Sequence, residues 1–110
     1  MELRWCWVTC ATREEAERIG RAVVEARLAA CANILPGIAS IYHWQGRIES
    51  SEEVGLVLKT RADLVDALVA AVRALHSYTV PCVVALPIGE GNPDYLAWLV
   101  AETEQRSPSS

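Results

Sequence analysis

The four cysteines of this 110-residue chain, Cys6, Cys10, Cys31 and Cys82, form no CxxC pair, which weighs against a zinc ribbon or a thioredoxin-type redox site. No apolar run approaches the ~18 residues of a membrane span. Residues 1–4 lead directly into a strand-like run, without the basic and apolar regions of a secretory signal. A cytosolic chain with reduced thiols is therefore expected rather than a disulfide framework. Basic charge is also short: nine Arg and Lys59 stand against 14 acidic residues, for a net charge of -4 and a pI near 5.1. Nucleic-acid and anionic-membrane partners demand clustered Lys and Arg, so neither is expected. No G-x-S-x-G, Walker loop or H-E-x-x-H occurs, leaving no signal for catalysis and pointing away from an enzyme.

What is present suffices for one domain. With 52% hydrophobic and 22% charged residues, the chain can bury something like two-thirds of its unfolded surface. A single domain is expected over 1–104, followed by a short flexible tail at 105–110. Its centre is the run at residues 32–59, which alternates apolar and polar positions on both sides of Gln45-Gly46. Ile38, Ser40, Tyr42 and Trp44 share one parity, and Val54, Leu56 and Leu58 another; this is a hairpin with Gly supplying positive φ at the turn. Arms of about a dozen residues at roughly 3.3 Å each give about 40 Å, against ~17 to 20 Å for an ordinary strand. The outer part carries Ile41, Tyr42, Trp44 and Ile48, an apolar patch on an open ribbon, so these four are expected to be covered by another copy of the chain. The alternative is that bulges at Pro36-Gly37 and at 49–52 fold the ribbon back over its own core.

The remaining elements follow from spacing. Residues 3–10 read as a strand with Trp5 and Trp7 on one face and Cys6, Val8 and Cys10 on the other. Thr12 and Glu15 have capping-box spacing before a helix to about Ala30, and Thr60 and Asp63 repeat the device before a helix ending near His76. Residues 82–88 form a short apolar strand, and Asn92-Pro93-Asp94 starts a third helix over 93–104. The order predicts an α+β, ferredoxin-like βαββαβ sandwich with a long central hairpin, an added C-terminal helix and strand order 4-1-3-2. Both crossover helices fall on one face, and the opposite face stays bare in a monomer.

Five blocks then resemble a known family: AACANILPG at 29–37, SIYHWQG at 40–46, LKT at 58–60, HSYTVP at 76–81 and GNPDYL at 91–96. Together they resemble the CutA divalent-cation tolerance proteins. The resemblance implies a homotrimer in which long hairpins extend one another's sheets, with a link to copper and other heavy metals. Cys10 and His76 match positions proposed to bind copper in some members. Cys82 departs from the family's usual glutamate, and Ser77 and Thr79 depart too; a site with fewer carboxylates and an extra thiol is softer.

Topology places the end of the first strand, the end of the second helix and the start of the fourth strand at one end of the domain. Cys10, His76 and Cys82 are thus a candidate metal site, with copper or another divalent ion as its cofactor. Other readings stand beside this one. Buried cysteine is a small hydrophobe, which suits Cys6 and Cys31 and serves Cys10 equally well. His76 can bond a carbonyl at the helix end. His43 reads as a solvated strand residue, and Glu49, Glu52 and Glu53 as a solvated, edge-protecting run. Tyr42, Trp44, Trp5 and Trp7 suit an interface more than a pocket, while Tyr78 and residues 92–95 could shape a cleft between subunits. A regulatory or scaffold trimer binding a small molecule there is the alternative function. RNA recognition by this topology is disfavoured because residues 54–59 contain no aromatic, and no Gly-rich anion loop with a partnering arginine follows the first strand to support acylphosphatase-like hydrolysis.

Overall fold

A computed structural model describes residues 1–105, and the 106–110 portion of the expected tail lies outside the described residues. The chain runs β1 (Leu3–Cys10), α1 (Arg13–Glu25), β2 (Cys31–Trp44), β3 (Arg47–Arg61), a 3-10 turn (Ala62–Leu64), α2 (Val65–Leu75), β4 (Val83–Ile88) and α3 (Pro93–Glu102). The strands form one antiparallel sheet ordered β2-β3-β1-β4, the arrangement the sequence predicts.

Alternation decides what each face holds. Cys6, Val8 and Cys10 of β1 join Leu56 and Leu58 of β3 beneath Ala16, Ile19 and Val23 of α1 and Leu68 and Val72 of α2, forming the main core. Leu3 has the opposite parity and packs with Ala30 against Leu99 of α3. Beyond α3 this second face lies open: Val84 and Leu86 are exposed, and the Trp5 and Trp7 rings stack in parallel with centroids 6.0 Å apart. Gly55 lies under that aromatic row. A Cβ there would meet the Trp7 ring at 2.4 Å and Ile38 at 2.7 Å, so only glycine lets both side chains cross the strand.

The hairpin turns at Gln45 (φ 51°) and Gly46 (φ 79°), both left-handed as a two-residue type I′ connection requires. A bulge separates the Leu35–Gly55 and Ile38–Glu53 pairs, whereas residues 49–52 pair in unbroken register. The bulge does not fold the ribbon home: Ile41 and Ile48 are 78% and 70% exposed, and Tyr42 and Trp44 42% and 45%.

Several boundaries differ from expectation. The first helix stops at Glu25 because Arg27 adopts φ 59° and the N–H groups of Leu28 and Ala29 turn back to the Val23 carbonyl. Thr60 is no cap; it is a fully buried strand residue opposite Arg4, and α2 is entered through the 3-10 turn without a side-chain cap. The other two caps form: Thr12 Oγ1 accepts from Glu15 N–H at 3.1 Å, and Asn92 Oδ1 from Asp94 N–H at 3.1 Å. The third helix ends at Glu102 rather than 104, and Gln105 Nε2 donates to the Arg27 carbonyl at 2.9 Å.

Candidate functional site

At the end of β1 the chain converges as its topology requires, but on a different set of residues. Cys10, Glu15 and His76 bring one donor atom each to within 4.8 Å of the others, all buried. Cys82 is not in this group. The last β1–β4 pair is Val8 with Val83, so one further step sets Cys82 across from Thr9, whose side chain faces away from that of Cys10. Cys82 is exposed there and lines a cleft with Thr9.

The inner group is closed by hydrogen bonds. His76 Nε2–H donates to the Thr9 carbonyl at 2.8 Å, and Nδ1 accepts from Tyr78 N–H at 3.0 Å, which fixes the neutral Nε2–H tautomer. Glu15 Oε1 accepts from Ala11 N–H at 3.0 Å and Oε2 from Ser77 N–H at 2.8 Å. Burial pushes the Glu15 carboxyl up, but the hydrogen bonds from Ser77 and Ala11 outweigh it and hold the carboxyl below its ordinary value. Burial, with Glu15 and Glu53 adding to it, pushes the Cys10 thiol up to about 12. A metal needs a thiolate, a free imidazole nitrogen and a free carboxylate oxygen. Here both ring nitrogens of His76 are engaged, so the imidazole can take a metal ion only by giving up one of its two hydrogen bonds.

The outer site is open. A cleft of about 780 Å³ lies between the outer hairpin and the α2–β4 connection, lined among others by Tyr42, Trp44, Glu53, Tyr78, Val80 and Cys82. Glu53 was expected on a solvated charge run with Glu49 and Glu52. Those two are exposed, but Glu53 is buried and its Oε2 accepts from Tyr78 Oη at 2.8 Å. Burial raises the Tyr78 phenol, and the Glu53 bond and charge raise it further. Burial and the Glu53 charge likewise raise Cys82. Cys6 belongs to the core, its thiol pushed by burial up to about 11, as its packing reading requires. Cys31 is half-buried, 3.6 Å from Tyr95 Oη, and His43 is exposed.

Sequence reasoning missed Glu15 and Glu53 as site residues. Glu15 carried the signal of a capping box and was fully accounted for by it. Glu53 is distinguished only by a tyrosine 25 positions away.

Fold and site together define a ferredoxin-like α+β domain with an acidic, aromatic-walled cleft where a long hairpin leaves its core. A profile described as CutA1 divalent ion tolerance protein matches residues 5–102, and the chain belongs to that family. It is 50% identical over 103 residues to Protein CutA of Mus musculus, covering 94% of this chain and 58% of the relative, so it spans little more than half the mouse protein's length. It is 50% identical over 96 residues to the divalent-cation tolerance protein CutA of Thermus thermophilus, covering 87% of this chain and 93% of the relative. The solved structure of the Thermus thermophilus divalent cation tolerance protein superposes with a TM-score of 0.90 at 47% identity, covering 93% of this chain and 99% of that one.

Proposed function

We propose that this protein is a non-enzymatic, cytosolic homotrimer acting in divalent-cation tolerance. A soft ion such as copper is met in the cleft by Cys82 and Glu53, not by Cys10 and His76. One observation carries this reading: an exposed thiol shares the cleft with a carboxylate that is 8% exposed and pairs with no cationic side chain among the described residues. A buried carboxylate without a counter-charge favours a cation, and thiolate ligation favours a soft one. Two donors from one chain leave other coordination positions to water or a neighbouring copy. Because Cys82 must lose its raised proton, binding strengthens with pH. The apolar ribbon and the open tryptophan face support assembly, and the relatives' divalent-cation tolerance supports the role.

The mass of the native assembly with metals retained tests both parts, and three 12.0 kDa copies are expected. Titration of the reduced protein with Cu(I) against a competing chelator should show weakened binding in Cys82→Ser and unchanged binding in Cys10→Ser. Equal affinity in wild type and Cys82→Ser would remove the cleft from metal binding. A second reading, a regulatory trimer binding a small molecule, is favoured by the cleft's volume, which falls within the ~300–1,000 Å³ of ligand sites. A thermal shift with metabolites and none with metals would select it.

A further inference from the structure

We propose that the Cys10–Glu15–His76 group is a metal-free latch, in which Glu15 and His76 are positioning residues that clamp the start of the α2–β4 connection and so set Tyr78 against Glu53. Two side chains satisfy four backbone groups drawn from two distant segments. His76 holds the Thr9 carbonyl and the Tyr78 N–H, and Glu15 holds the Ala11 and Ser77 N–H groups. His76 itself has just left α2 in extended conformation (φ -81°, ψ 143°), so the helix no longer constrains the residues after it.

Tyr78 is thereby fixed at three points. Its N–H sits on His76 Nδ1, its ring lies 4.6 Å from the imidazole, and its Oη reaches Glu53 Oε2 at 2.8 Å. That last bond engages one oxygen of the carboxylate in the cleft wall. Arg18 braces the same junction, its Nη2 donating to the Leu75 carbonyl at 3.2 Å and lying 3.7 Å from Glu15 Oε2. A metal entering the group at the His76 Nδ1 would have to strip Tyr78 N–H from it, leaving a part-buried donor without a partner. The buried Cys10 side chain fills the remaining space as a small apolar group.

This inference meets the proposed metal contact only through Glu53, and it stands or falls independently of whether the cleft binds a metal. The test uses the isotope-labelled full chain with two readouts: the His76 ring nitrogens with and without Zn(II), and amide exchange at Ser77 and Tyr78. The ring should show the neutral Nε2–H tautomer and remain unchanged by one equivalent of Zn(II). His76→Ala should speed exchange at Tyr78 by about tenfold or more. His76→Gln presents both an N–H and a carbonyl oxygen and should largely restore the slow exchange at Tyr78. Zn(II) bound to a His76 nitrogen would overturn the latch. So would a His76→Ala protein with Tyr78 exchange unmoved, or a His76→Gln protein as damaged as His76→Ala. If His76→Ala does not fold, Glu15→Ala replaces it, with faster exchange expected at Ala11 and Ser77, and unaltered exchange at both overturns the proposal.

Discussion

The inner and outer halves of the hairpin belong to one pair of strands, yet they meet opposite fates. In the inner half Leu56 and Leu58 are fully buried; in the outer half Ile41 and Ile48 are 78% and 70% exposed. The difference lies in what stands against them. Helix α1 crosses the inner half so closely that a Cβ on Gly20 would come within 2.9 Å of the Ala32 Cβ, whereas the outer half has left the helices behind. Alternation specifies a face for each side chain, and only a partner surface turns that face into a core.

Leu58→Ala in the inner half should give the largest loss, about 2–5 kcal/mol in denaturant unfolding. Ile48→Ala in the outer half should change the unfolding of a single chain by no more than about 0.5 kcal/mol. If copies cover the ribbon, its effect appears instead as reduced assembly mass and a concentration-dependent midpoint. Equal losses at the two positions, independent of protein concentration, would erase the distinction between the halves.

Gly55 sits near the junction, where the ribbon begins to leave the core. Gly55→Ala should cost about 1–3 kcal/mol, since the Trp7 ring and Ile38 must both shift. Near-UV circular dichroism should report the displaced Trp5–Trp7 stack. An unchanged aromatic spectrum would mean that the ring does not hold its place over the strand.

Element order, sheet order and the first strand's limits were legible because each rests on local periodicity or a well-known crossover rule. Arg27 was not: a left-handed arginine leaves no mark in the helical pattern that runs through it. Thr60 misled for a related reason, since a strand residue three positions before an acid has the spacing of a cap. At the site, convergence of Cys10 and His76 could be read from strand and helix ends. Separating Cys82 from them needed the register, because one residue of slip exchanges the two faces of the sheet.

The acid limb of stability bears on the junction that the inner half supports. Glu15 has a folded value below its ordinary 4.5, so its contribution is complete above that value and is lost as pH falls through the lower folded one. Glu15→Gln should therefore flatten the fall in unfolding free energy on the acid side of pH 4.5, with a lower plateau at neutral pH. A slope identical to wild type would show that other carboxylates account for acid sensitivity.

The smallest effect should come from the outer half's own polar contact. Tyr42 Oη and Ser51 Oγ lie 3.3 Å apart across the exposed ribbon. Water can replace either group, so the net contribution of such a bond falls at or below the ~0.5 kcal/mol end of the usual range. Tyr42→Phe should leave unfolding unchanged within error while keeping the ring that walls the cleft. If the same variant alters assembly mass or Cu(I) affinity, the hydroxyl acts between copies or on a ligand rather than within the chain. The outer half would then be a surface whose energetics are set by what binds it, unlike the inner half, which the helices complete.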